Sequence, residues 1–109
     1  MPKFDVFYQK AKRDLEYGEM PADMVSLVRN YQCLKVGVEA ENREELYWLM
    51  QGENWSPNGE ARDEIVKLGL SHTSMSVGDI VLNEAGELWF CAKLGWKRLF
   101  PDVIMPIGA

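Results

Sequence analysis

Ser71-His72-Thr73-Ser74-Met75-Ser76-Val77-Gly78-Asp79-Ile80-Val81-Leu82 is a hydroxyl-rich run that turns apolar just after Gly78-Asp79. The side chains of Ser76 and Asp79 suit acceptance of backbone N–H groups in a tight turn, and Gly78 relieves backbone crowding there. Downstream, Ile80 and Leu82 alternate with Asp79, Val81 and Asn83. Asn83-Glu84-Ala85-Gly86 supplies a compact turn. Leu88, Phe90, Ala92 and Leu94 then alternate with Trp89, Cys91 and Lys93. The pattern predicts a β-hairpin, with Gly86 able to take a positive φ. Gly95-Trp96 interrupts the run, and Lys97 to Phe100 suit one more short strand. Pro101, Pro106 and Gly108 mark an irregular tail expected to pack through Val103, Ile104 and Met105.

Upstream, Phe4, Val6 and Tyr8 alternate with Asp5 and Phe7, as a first strand would over Lys3 to Tyr8. Residues 9–19 read as a loop. Pro21 suits a first helical turn, and Met24, Leu27, Val28 and Tyr31 give one apolar face to a helix over 21–30, with a strand from Met24 to Val28 as the alternative. In the next strand, Cys33 to Ala40, Leu34, Val36, Val38 and Ala40 point one way. Asn42 with Glu45 three residues on forms a capping-box pattern, followed by Leu46, Leu49 and Met50 as an inward stripe. This predicts a helix over 43–51 that stops at Gly52. Glu53 to Gly59 reads as a loop, and Glu60 to Leu68 as a short helix ended by Gly69.

The fold class that follows is α+β: a small, mostly antiparallel sheet of three to five strands with two or three helices packed on one face. The apolar side of the hairpin is expected to meet the helix capped by Asn42. At 109 residues the chain is one domain, 1–109. With 47 % hydrophobic and 27 % charged residues it does not resemble a disordered chain.

The net charge of −5 is concentrated in the middle, where residues 38–66 hold eight acids and two bases. This disfavours direct nucleic-acid binding and favours a protein partner with a basic surface. Cys33 and Cys91 lack metal-finger spacing and are expected to be buried thiols. No secretory segment and no membrane-length apolar run is visible, so a cytosolic protein is expected. Nothing calls for a cofactor or a metal.

Two sets of residues are candidates for function. The first is an aromatic and acidic surface: Tyr47, Trp48, Trp55 and Trp96 as anchors, with Glu44, Glu45 and Glu53 at the rim. Trp55 is read either as an anchor or as a plug over the core. The second is His72 with Ser74 and Asp79, a histidine beside a hydroxyl and a carboxylate, which a small hydrolase or nucleic-acid-processing enzyme would use. A local hydrogen-bonding role explains the same residues. Glu39, Glu41, Glu60, Asp63 and Glu64 extend the acidic set, which a DNA-mimicking inhibitor or a divalent cation would also use.

Lys35-Val36-Gly37-Val38-Glu39-Ala40-Glu41, the His72–Val81 motif and Leu94-Gly95-Trp96-Lys97-Arg98-Leu99 occur in that order. In this the chain resembles a group of small uncharacterised phage, plasmid and bacterial proteins, and its hairpin portion is similar to YodL-like domains. The resemblance spans roughly residues 34–99 and implies a fold rather than an activity. It brings no catalytic residues with it, and a small accessory or interaction protein of mobile-element type is the function expected.

Overall fold

In a computed structural model, residues 1–102 are described, and the expected packing of Val103, Ile104 and Met105 lies outside them. Five strands form one sheet: β1 (Lys3–Gln9), β2 (Tyr31–Glu39), β3 (Ile80–Asn83), β4 (Leu88–Cys91) and β5 (Trp96–Leu99). Their order is β2-β1-β3-β4-β5, and every neighbouring pair is antiparallel. The helices are α1 (Met24–Asn30), α2 (Arg43–Leu49), α3 (Gly52–Trp55) and α4 (Arg62–Lys67).

The sheet is covered on both sides. On one side, Phe4, Val6, Tyr8 and Val81 form a core with Leu46 and Met50 of the α2 segment and Ile65 of α4. On the other, Leu27 and Tyr31 pack on Ile80, Leu82, Leu88, Phe90 and Leu99. The three helices α2–α4 thus share one face, and α1 covers the reverse.

This corrects the expected role of the hairpin. Its more apolar side, Ile80, Leu82, Leu88 and Phe90, meets Leu27 and Tyr31 instead of the helix capped by Asn42. That helix receives Val81, Trp89 and Trp96. A strand covered on both faces carries apolar residues at every position, so alternation does not reveal which side faces which helix.

The caps form locally. Asn42 Oδ1 accepts from Glu45 N at 2.8 Å, and Glu45 Oε1 accepts from Glu41 N at 2.8 Å, one residue before the cap. Asp23 caps α1 by accepting from Ser26 N at 2.9 Å, which starts that helix later than Pro21 suggests. Only the narrow stripe of Met24, Leu27 and Tyr31 turns inward; Val28 is 66 % exposed. Gly52 opens α3 instead of only ending α2, so Glu53 and Trp55 sit on a one-turn helix rather than in a loop. Gly69 closes α4 as expected, at φ +74°.

Strand β2 departs from simple alternation. Its register against β1 slips twice, between Phe4 and Val6 and between Val6 and Phe7, so β2 carries two extra residues. Gly37 takes φ +70°, and its N–H donates to Asp5 Oδ1 at 3.0 Å. The slips turn Val36 outward to 62 % exposure, while Leu34 stays buried and Val38 half-buried.

Leu46, fully buried where α2 meets the sheet, is the side chain through which the capped helix enters the core. Leu46→Ala is expected to lower the unfolding free energy by about 3 kcal/mol in denaturant titrations, through lost burial plus a residual cavity. The exposed Val36→Ala should change it by less than about 0.5 kcal/mol.

Candidate functional site

The polar run 71–79 folds around one carboxylate. Asp79 is fully buried. Its Oδ1 accepts from Gln9 N at the end of β1, at 3.0 Å. Its Oδ2 accepts from Ser76 N at 2.8 Å and lies 2.9 Å from His72 Nε2. Two main-chain bonds, Gly78 N to Cys91 O at 2.7 Å and Cys91 N to Asp79 O at 2.8 Å, join the same turn to the end of β4. Gly78 takes φ +102°, and a Cβ there would come within 2.7–2.9 Å of the Gln9 side-chain amide. This tight approach, with the left-handed φ, is the physical need for glycine.

His72 stacks on the Tyr8 ring, with centroids 4.6 Å apart and planes 10° from parallel. The Tyr8 hydroxyl donates to Thr73 O at 2.8 Å, and the Tyr31 hydroxyl donates to Gly78 O. Burial pushes both phenols well above their ordinary pKa, with the nearby Asp79 charge acting in the same direction.

Of the residues proposed for chemistry, the structure brings His72 and Asp79 together but leaves Ser74 apart. The Ser74 hydroxyl accepts from Gly52 N at 2.7 Å, which straps the run to the start of α3. Ser71 Oγ is 3.4 Å from His72 Nδ1 on the exposed side. The carboxylate spends its acceptor capacity on two main-chain amides and the imidazole, so the group acts as a latch between β1, the turn and β4.

No family model matches the chain. No curated protein and no solved structure matches it either.

The aromatic and acidic candidates divide into three places. Trp55 is a plug: half-buried against the core, it donates from Nε1 to Thr73 O at 3.0 Å, and the Lys35 ammonium sits 4.8 Å from its ring centroid. Trp48 is 60 % exposed and its neighbour Tyr47 is 38 % exposed, both on the outer side of α2. Trp96, half-buried at the start of β5, lies across from Tyr47. Tyr47, Glu44 and Trp96 line one pocket of about 350 Å³ with Val77, Cys91 and Ala92. Glu53 is exposed on α3 and Glu45 is half-buried in its capping role. Among the described residues, no three His, Cys, Asp or Glu side chains gather as a metal site.

Sequence reasoning passed over the support behind this pocket. Arg43 lies 3.9 Å over the Trp89 ring and 5.9 Å from the centroid of Trp96. Arg98 of β5 pairs with Glu87, just before β4, at 3.0 Å. The Asn83 amide bonded to Glu87, with the charges of Arg98 and Arg43 nearby, holds its carboxyl below the usual range. These contacts join α2 to β3, β4 and β5, so spacing along the chain carries no signal of them. Cys91 was expected as a buried thiol, and burial pushes it up to about 11.

Two measurements check the latch. Asp79→Asn turns an amide NH₂ toward the N–H of Gln9 or of Ser76, leaving that main-chain donor without an acceptor, and is expected to cost about 2–3 kcal/mol of stability, whereas His72→Ala should cost about 1 kcal/mol. The two buried phenols set an alkaline limit. Below the unfolded-state value of 10.0 both states keep the proton; above it the unfolded chain ionises first, so stability falls as pH rises. Denaturant midpoints should therefore decline above about pH 10, with tyrosinate absorbance from these two rings appearing only on unfolding.

Proposed function

We propose that the protein is a small cytosolic accessory protein, of the kind carried by mobile elements, that acts by binding another protein and performs no catalysis of its own. The observation that carries this reading is the outer side of α2, where Tyr47 and Trp48 stand exposed at adjacent positions. Large aromatic rings left in water are a recurring source of binding energy once a partner covers them. They adjoin Glu44 in a segment whose charge is strongly negative, which favours a partner with a basic surface.

Other features support the rest of the reading. No helix among the described residues is long and apolar enough to cross a membrane. Cys33 and Cys91 are both free thiols, as suits a reducing compartment. The assignment to mobile elements rests on the resemblance of the Lys35–Glu41, His72–Val81 and Leu94–Leu99 segments. The one acid of the latch, Asp79, is turned inward and bonded, whereas Glu44 beside Tyr47 is exposed.

The test is partner capture in the native host by cross-linking and mass spectrometry, with the wild type compared against Tyr47→Ala/Trp48→Ala. Both residues lie outside the buried core, so the variant should keep its unfolding midpoint. The expected result is a defined partner recovered with the wild type and reduced at least about tenfold with the variant. Equal recovery by both proteins removes α2 as the binding surface.

A further inference from the structure

The geometry points to the pocket between α2 and the β4–β5 turn as a receptor for one lysine or arginine side chain from a basic segment of the partner, an inference that rests on the interaction reading above. The pocket holds about 350 Å³, ample for either side chain. Its lining has two parts. Val77, Ala92 and Gly95 offer a surface along which a methylene stem can lie. Tyr47 and Trp96 offer two aromatic rings, whose negative faces attract a cation.

Glu44 completes the set. It is exposed at the lip, and among the described residues its carboxylate makes no hydrogen bond or ion pair. Its neighbour Glu45 differs, since it is committed to the cap of α2. An anionic occupant would be repelled by Glu44. A neutral apolar occupant would strip water from that carboxylate without giving it a partner. A cationic side chain meets both the rings and the carboxylate.

The protein's own cations leave the place open. Lys93 lines the pocket, but its ammonium is drawn over Tyr17, 5.2 Å from the ring centroid, and its Cε passes close to Gly18. Arg43 is seated on Trp89 behind the pocket, nearer to that ring than to Trp96. The segment that carries Glu44 has the complementary sign, since residues 38–66 hold eight acids against two bases.

The experiment is an amide and indole NMR titration of the full chain with short Gly/Ser peptides. One set carries a central Lys-x-Arg, and a matched set has glutamine at both positions. The basic peptide is expected to shift Tyr47, Ala92, Gly95 and the Trp96 indole, and the glutamine peptide to leave them in place. Glu44→Gln should weaken the basic peptide about fivefold and Trp96→Leu about tenfold. Glu44→Gln is a surface change and keeps the fold, so the inference remains testable if Trp96→Leu loosens β5. Equal binding of the two peptides, or shifts confined to Glu60, Asp63 and Glu64, would falsify the pocket assignment. Purified peptides decide this point whatever the capture experiment finds. A partner lost from Tyr47→Ala/Trp48→Ala but bound equally by Glu44→Gln would leave the interaction reading standing and overturn the pocket.

Discussion

The structure depends on one buried carboxylate side chain. Asp79 sits where three pieces of chain must meet: the end of the interior strand β1, the turn before β3 and the end of β4. A carboxylate is costly to bury unless its oxygens are occupied, and here two main-chain amides and an imidazole occupy them. Removing any piece leaves the others with an unmet polar group. The turn is thereby held in one geometry, and the hairpin that follows enters the sheet in one register. Tyr8 extends the same arrangement, with its ring under His72 and its hydroxyl on Thr73.

From this fixed point the two faces of the sheet take different tasks. The side under α1 is aliphatic and aromatic packing of the ordinary kind. The side under α2 changes character along the sheet, from a hydrophobic core beneath Leu46 to stacked guanidinium and indole groups at Arg43 and Trp89. Stacking lets long polar side chains support α2 where little apolar volume is left. It also frees Tyr47 and Trp96 to line an open pocket instead of closing over one another.

Much of the fold was legible because its signals are local. Asn42 and Glu45 mark a helix start, Asn83 to Gly86 mark a hairpin turn, and Gly69 marks a helix end; each acts within a few residues. What escaped the sequence is carried by contacts across long separations. Gln9 and Asp79 are 70 residues apart, and nothing near either one announces the other. Val36 was expected inside because it keeps step with Leu34 and Val38, but Gly37 breaks that step through its positive φ and its bond to Asp5. Trp55 reads as plug or anchor, the plug favoured, and its indole N–H bonded to Thr73 shows the plug. Of the two candidate sites, the sequence named His72 and Asp79 correctly as neighbours. It named Ser74 as a third member only because it is close in number. For the second site it named Glu44, Tyr47 and Trp96 but had no means of bringing β5 beside α2.

The double slip in β2 has a further effect. This strand lies at the border of the sheet, and its outer row of amides and carbonyls would otherwise offer a straight template for another chain. Two extra residues bend that row and spoil its spacing, and Lys35 lies along it. Such kinks and charges are how natural sheets resist edge-to-edge aggregation. The opposite border, β5, is only four residues long. Strand addition by another chain is therefore poorly served at either border.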